Sequence, residues 1–469
     1  MRNVIVVGAC AVAMVLLALV MSGSTPKMAM AAIIVLVPVL ALTAWKKPML
    51  FPYAAYALLV PFDNLLAVST FGTATKLLGF AAGAAFLFWT LRRRRIVAPP
   101  ASLILWALLL TWMALSLIWT SSPADGMRGF QTMLQILLLY TVISMTPIDT
   151  KDLTWLLRGL ICGGIAAAIF GIYVFHYQNP IEAELQREFG RVAIQFGENA
   201  TIDVNHFANS LLLPIVALLV LALNERRILF KVAWAGGLAI MIAAVYQTQS
   251  REALLALGAM LVYLLFVSRK RLQLFITMLA GTFAIAFDPA MWQRFAEATA
   301  TGGAGRTNIW AVGIQAFKSH WLLGGGLGSF LNAYDEAYIR VFQRFSAGWA
   351  RDPHNLLIHY SVELGLIGVL LVVACWTTQF WMLRDIARGS ALSEMRTIAM
   401  AGLIGLSITA MFIDLFTYKY VWLLFAFVAQ LRVLAHTSPA LASRPQPGEQ
   451  ADRRRAPAAW SRTAPTHAS

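Results

Sequence analysis

Apolar runs close to the length of a bilayer span recur from one end of this chain to the other, and they leave few folds open. A helix needs roughly 20 apolar residues to cross the hydrocarbon core. In lipid, backbone polar groups can be satisfied only inside a helix or a closed barrel. The runs here are continuous rather than alternating, which argues against a barrel. With 59% of its 469 residues hydrophobic and 13% charged, a chain of this length lacks the polar surface of a soluble domain. The expected fold class is all-α, a polytopic membrane helical bundle of about 12 transmembrane helices.

Spans are expected near 4–21, 28–44, 49–62, 74–91, 101–119, 128–146, 153–177, 204–223, 228–247, 251–267, 272–287, 355–383, 397–413 and 418–434. The chain divides accordingly. Residues 1–287 form transmembrane helices with a smaller external loop at 178–203, and residues 288–354 form a large external loop. Residues 355–436 form the C-terminal spans, and 437–469 a basic tail whose Pro, Ala, Ser and Arg content suits disordered polymer. Within the large loop, Asn308 to Ser319 and Ser329 to Phe345 have the apolar spacing of amphipathic helices flanking the glycine turn at 324–328.

A net charge of +15 raises the question of nucleic acid, but its placement answers against it. Basic clusters sit between spans: Lys46-Lys47, Arg92 to Arg95, Arg226-Arg227, Arg269 to Arg271, Arg384 with Arg388, and Arg453 to Arg455. That is the positive-inside pattern, and it places these loops and both termini in the cytoplasm, facing membrane lipids. Cys10, Cys162 and Cys375 all fall in apolar runs, so no disulfide or zinc framework is available.

The opposite side should then be poor in arginine, yet this topology puts Arg187, Arg191, Arg251, Arg294, Arg306, Arg340, Arg344 and Arg351 there. Arg251 opens an otherwise apolar span, where an arginine either snorkels to headgroups or points at an anionic ligand. Arg306 follows Gly-Gly-Ala-Gly, where backbone can approach a ligand closely. Arg191 lies in the smaller external loop among acids, so a salt-bridged loop helix is its competing reading. Guanidinium forks converging near the membrane suit a phosphate or pyrophosphate. The glycine run is not a nucleotide loop, because no Lys-Ser/Thr follows it; a tight turn between two loop helices is the better reading.

His354 follows Asp352-Pro353, a capping residue and a first-turn proline, and so is expected at a helix N-terminus. The helix dipole there disfavours the protonated imidazole, and a neutral histidine can take a proton from a hydroxyl. His359 reads as a packing or hydrogen-bonding residue, and Glu363 as an internal pairing partner. No external acidic or histidine cluster with metal spacing is present, so no metal and no cofactor are expected, and arginine is left to neutralise a phosphate leaving group.

The segments SREALLALG, GRTNIWAVGIQAFKSHWLLGGGLGSF and DPHNLLIHYSVELGLIG, spread over Ser250 to Gly368, resemble in order the signature region of bacterial O-antigen ligases and their polymerase relatives. The resemblance implies a GT-C-like inner-membrane glycosyltransferase with a large periplasmic loop. It implies transfer of a finished glycan from undecaprenyl pyrophosphate to a sugar hydroxyl of the lipid A core, metal-independent and with inversion. By that likeness His354 takes the place of the essential histidine, Arg251 and Arg306 those of essential arginines, and Arg191, less closely, that of an arginine in the preceding external loop. The family pattern has proline after the histidine where this chain has His320-Trp321. An O-antigen polymerase and a protein O-oligosaccharyltransferase share the donor chemistry. A solute transporter would instead carry ionisable groups at the midplane of several spans.

Overall fold

The computed structural model describes residues 50–62, 102–146, 148–177, 204–286, 305–345 and 347–443, with short pieces between 67 and 100, at 194–196 and 200–202, and at 296. The expected spans near 4–21 and 28–44, most of that near 74–91, Arg191, Arg294 and the chain beyond 443 lie outside the described residues. The fold is helical: α1 (Leu50–Leu59), α2 (Ser102–Ser116), α3 (Pro123–Met145), α4 (Thr150–Tyr177), α5 (Val204–Asn224), α6 (Ile228–Thr248), α7 (Arg251–Val267), α8 (Arg271–Ala286), α9 (Arg306–Ser319), α10 (Phe330–Val341), α11 (Leu356–Trp381), α12 (Ser393–Thr409), α13 (Lys419–Thr437) and the short α14 (Pro439–Ala442). A 3-10 turn at Val60–Phe62 and two small antiparallel ribbons, Ala67–Val68 with Gly72–Thr73 and Ile194–Phe196 with Ala200–Ile202, complete the described elements. Among the described residues, 5 helices are long and apolar enough to cross a membrane: Thr150–Tyr173 of α4, then α5, α6, α11 and α13.

Each apolar run between 101 and 434 became a helix, with ends shifted by a few residues. The largest shift is at α3, which starts at Pro123 rather than near 128; proline sits well in a first turn, where its missing N–H has no helical partner to lose. Association uses small residues, as expected where lipid offers no hydrophobic drive between helices. Gly159 and Gly163 of α4 abut the α1 backbone so closely that an added Cβ would lie 2.5 Å from Ala54 O and 2.2 Å from Leu58 O. Elsewhere in the bundle, Trp106 (α2), Tyr140 (α3), Trp422 and Phe425 (α13) form an aromatic core, with Trp106 and Trp422 centroids 4.8 Å apart.

Side-chain contacts sort the helix ends into two groups. At one end, Asn224 Nδ2 donates to Glu394 Oε1 at 2.9 Å, Lys270 Nζ to Leu223 O, Gln430 Nε2 to Thr146 O at 3.3 Å, and Ala387 N to Ala442 O at 2.9 Å. This is where Arg226, Arg227, Arg269, Arg271, Arg384 and Arg388 lie. At the other end meet the starts of α5, α7, α9, α11 and α13 and the end of α12.

At that second end α9 and α10 pack on the first half of α11 through Ile309, Val312, Ala316, Phe330, Tyr334, Ala337, Tyr338 and Val362. The turn between them docks into α11 itself. Gly365 leaves helical geometry at φ +66°, ψ −166°, which opens the α11 hydrogen-bond ladder. The glycine turn fills the break: Gly325 N donates to Val362 O and Gly326 N to Glu363 O, each at 2.8 Å, while Leu366 N donates to Trp321 O at 2.8 Å. The approach needs glycine: Gly324 has φ +78°, and a Cβ there would sit 2.3 Å from Glu363 O. The turn's far side is tied to the α2–α3 corner, where Thr120 Oγ1 donates to Leu327 O at 2.7 Å and Leu327 N donates to Ser116 Oγ at 3.1 Å.

Candidate functional site

The site builds from the first turn of α7. Arg251 is its first residue, partly buried, and Glu252 follows with a side chain only 4% exposed. Arg306 is the first residue of α9, after Gly305 in a left-handed conformation at φ +79°. Its Nη1 donates to Glu252 Oε2 at 3.0 Å, while Asn209 Nδ2 of α5 donates to Glu252 Oε1 at 3.4 Å. The Arg306 guanidinium also lies over the Phe412 ring, 5.9 Å from its centroid. Two arginine-bearing helix starts therefore converge on one buried carboxylate. That carboxylate engages one corner of a five-donor fork, which leaves room for further acceptors.

One turn along α9, Trp310 Nε1 donates to Pro353 O at 2.9 Å, and its ring lies 6.3 Å from Phe412. This ties Arg306 to the residue preceding His354. His354 is exposed, with φ +44°. Asp352 does not cap α11 as the sequence suggested. Asn355 does: its side chain accepts from Leu357 N and Ile358 N, and its Nδ2 donates to Met411 O at 3.0 Å. The cap falls at Asn355 because His354, at φ +44°, is outside helical geometry, so the helix begins only after it. His354 thus stands just outside the helix, on a segment pinned to α12 by the Leu356 N to Ala410 O bond at 2.9 Å.

His359 is held differently. Its Nε2 stands 3.3 Å from Glu363 Oε2 and its Nδ1 3.6 Å from Asp414 Oδ2, and the ring stacks on Phe330 at 5.4 Å. Glu363 Oε1 also accepts from Phe330 N at 3.3 Å, the start of α10. Both ring nitrogens face carboxylates, which fits the hydrogen-bonding role read for His359 from the sequence. Burial pushes the Asp414 carboxyl up from its ordinary range, with His359 opposing.

Sequence reasoning missed several neighbours. Glu252 was passed over as part of the run after Arg251, although an acid beside an arginine in a first turn is a readable signal. Asp414 stands alone in its sequence, and nothing local marks it. His206 of α5 stacks on Tyr418 with centroids 3.4 Å apart, and its Nδ1 is 3.2 Å from Tyr420 Oη. Among the described residues, buried Asn209 Oδ1 and Ser250 Oγ have no hydrogen-bond partner. These are polar atoms beside Glu252 that a ligand or water would satisfy.

Residues 236–373 match the family model described as O-Antigen ligase, a stretch that contains Arg251, Arg306 and His354. Over 310 residues, 61% of this chain and 67% of the relative, the sequence is 26% identical to the exopolysaccharide production protein ExoQ of Rhizobium meliloti (strain 1021). With the helical bundle and its apolar spans, these matches make the chain a multi-pass membrane protein that is similar, over residues 236–373, to the O-antigen ligase family.

Proposed function

We propose that the protein is an O-antigen ligase of the inner membrane, acting at the periplasmic face. It transfers a glycan from undecaprenyl pyrophosphate to a sugar hydroxyl of the lipid A-core oligosaccharide. The observation that supports this reading is the pair of bonds from α9 to neighbours of the other two residues, Arg306 to Glu252 beside Arg251 and Trp310 to Pro353 beside His354, at the end of the bundle opposite the basic connections. The positive-inside rule puts that end outside the cytoplasm. Arg306 and Arg251, with Arg191 from the preceding external loop, hold the diphosphate. His354 takes the proton of the acceptor hydroxyl as its oxygen attacks the anomeric carbon. The bond from that carbon to the phosphate oxygen breaks, undecaprenyl pyrophosphate leaves with both electrons, and one displacement inverts the centre. Guanidinium charge takes the role a divalent ion plays elsewhere, so the reaction is metal-independent and needs no cofactor.

Purified protein in vesicles, given lipid-linked glycan and lipid A-core, is expected to form the joined product with or without chelator. His354→Ala is expected to lower transfer by about 10²–10⁴-fold, the usual contribution of a general base, with donor binding retained. Transfer that requires added magnesium, or that survives His354→Ala, defeats the mechanism.

The likeness to a protein named for exopolysaccharide production favours one second reading, a polymerase whose acceptor is another lipid-linked glycan. A strain lacking the protein separates the two. Intact lipid-linked polymer with undecorated lipopolysaccharide marks a ligase, and shortened polymer marks a polymerase.

A further inference from the structure

Trp321, Leu322 and Leu323 lie in the middle of the stretch that the sequence presents as an aqueous loop, yet all three side chains are exposed, at 54%, 42% and 46%. Three consecutive large apolar side chains facing water are an unusual surface for a loop. Their surroundings explain them. Through the bonds of Leu366 N to Trp321 O and Ile367 N to Leu322 O, the segment runs against the membrane-length helix α11, beside Leu366 and Leu370, which are themselves exposed on that helix. The apolar strip of the span therefore continues without interruption onto the loop.

Most of the turn's carbonyls and glycine amides meet the condition that lipid imposes. Non-helical chain at membrane depth is tolerated only where its polar groups are paired within the protein. Here the break in α11 and the α2–α3 corner supply those partners: Gly325 N and Gly326 N donate to α11 carbonyls, Trp119 Nε1 donates to Gly324 O at 3.2 Å, and Thr120 Oγ1 donates to Leu327 O. Charge completes the pattern. Exposed Lys318 and Arg340 flank the apolar tip, with Arg340 Nη1 donating to Ser319 Oγ at 3.4 Å. Cations above an apolar wedge that includes tryptophan match an anionic headgroup layer over acyl chains.

We infer that residues 321–328 form a re-entrant turn whose Trp321–Leu323 tip is inserted among the acyl chains of the leaflet on the site's side, with Lys318 and Arg340 at the anionic headgroups. The occupant of the patch is the phospholipid bilayer. The insertion anchors the Ser319 end of α9 at the lipid surface. The inference rests on the chain spanning a membrane and not on the transfer reaction, so the two fail separately.

The test uses the full chain with Cys10, Cys162 and Cys375 replaced by alanine, reconstituted in vesicles of phosphatidylethanolamine and phosphatidylglycerol. A nitroxide is placed at Leu322→Cys, with Leu370→Cys as the lipid reference and Glu336→Cys, on the exposed polar face of α10, as the water reference. Power saturation with oxygen and with a water-soluble nickel complex reports depth. The label at 322 is expected to group with 370, favouring oxygen over nickel. Grouping with 336 overturns the inference. Should the 322 variant fold poorly, Leu323→Cys gives the same readout from the neighbouring exposed position.

Discussion

Glu252 shows how much one buried acid can organise. It fixes the Arg306 guanidinium at 3.0 Å and accepts from Asn209. Glu252→Gln keeps the shape but removes the charge-assisted bond, worth about 1.5–3 kcal/mol. Donor KM is expected to rise about tenfold or more, kcat to change less, and Glu252→Asp to recover part of the loss; an unchanged KM would separate Glu252 from donor binding. Arg306→Lys keeps the charge and loses the planar fork, and a comparable rise in KM is expected in the same assay. Tyr334 makes the opposite case. Its hydroxyl is buried without a partner in the described structure, and burial pushes its pKa up to about 12. Tyr334→Phe removes an unsatisfied polar atom, so the thermal midpoint is expected to hold or rise, which differential scanning fluorimetry would show. Of the proposed site residues, Arg251, Arg306 and His354 stood out in the sequence because charge is conspicuous at the ends of apolar runs. Glu252 and Asp414 did not, since their importance lies in partners 54 and 55 residues away in the chain (Arg306 and His359).

At the scale of elements, the span-length runs and the two amphipathic loop helices were readable because periodicity and length are local properties. The break in α11 was not. Gly365 sits in an apolar run where a glycine reads as a packing contact, and only the docked turn reveals its left-handed backbone. The glycines of the loop can be ranked by what surrounds them. Gly305 and Gly324 share nearly the same dihedral, φ +79° and φ +78°, but a Cβ at 305 meets nothing within 4 Å whereas one at 324 meets backbone at 2.3 Å. Gly305→Ala is expected to cost about 1–2 kcal/mol, the left-handed penalty alone. Gly324→Ala adds a backbone clash and is expected to abolish recovery of folded protein, as judged by size-exclusion profile. Equal behaviour of the two would mean that the turn does not dock as described. Loss of the α11 cap by Asn355→Ala is expected to cost about 1 kcal/mol and to lower transfer further by loosening the His354 segment.

For the whole molecule, the two groups of helix ends make a topological prediction. Cysteines introduced at Arg226, Arg269 and Arg388 should share one labelling side in intact cells, and those at Thr307 and Asn332 the other, with an impermeant maleimide reaching only the second set. Mixed labelling would break the link between basic connections and the cytoplasm. The sequence assigns this sidedness from charge placement alone, because sidedness depends on where lysine and arginine fall between spans and not on how the helices pack. How the bundle packs was not legible. The close approach of Gly159 and Gly163 to α1 and the aromatic knot around Trp106 depend on contacts between distant stretches that no local pattern encodes.

The glycine turn that completes the α11 ladder has a practical corollary for anyone building hybrids of this protein. Because Val362 and Glu363 surrender their carbonyls to residues 325 and 326, a transplanted 288–354 segment would arrive without its hydrogen-bonding socket unless the recipient received α11 and the 116–126 corner as well. The smallest exchangeable module is that three-part assembly, and junctions cut at the loop's nominal borders should yield chimaeras that do not assemble.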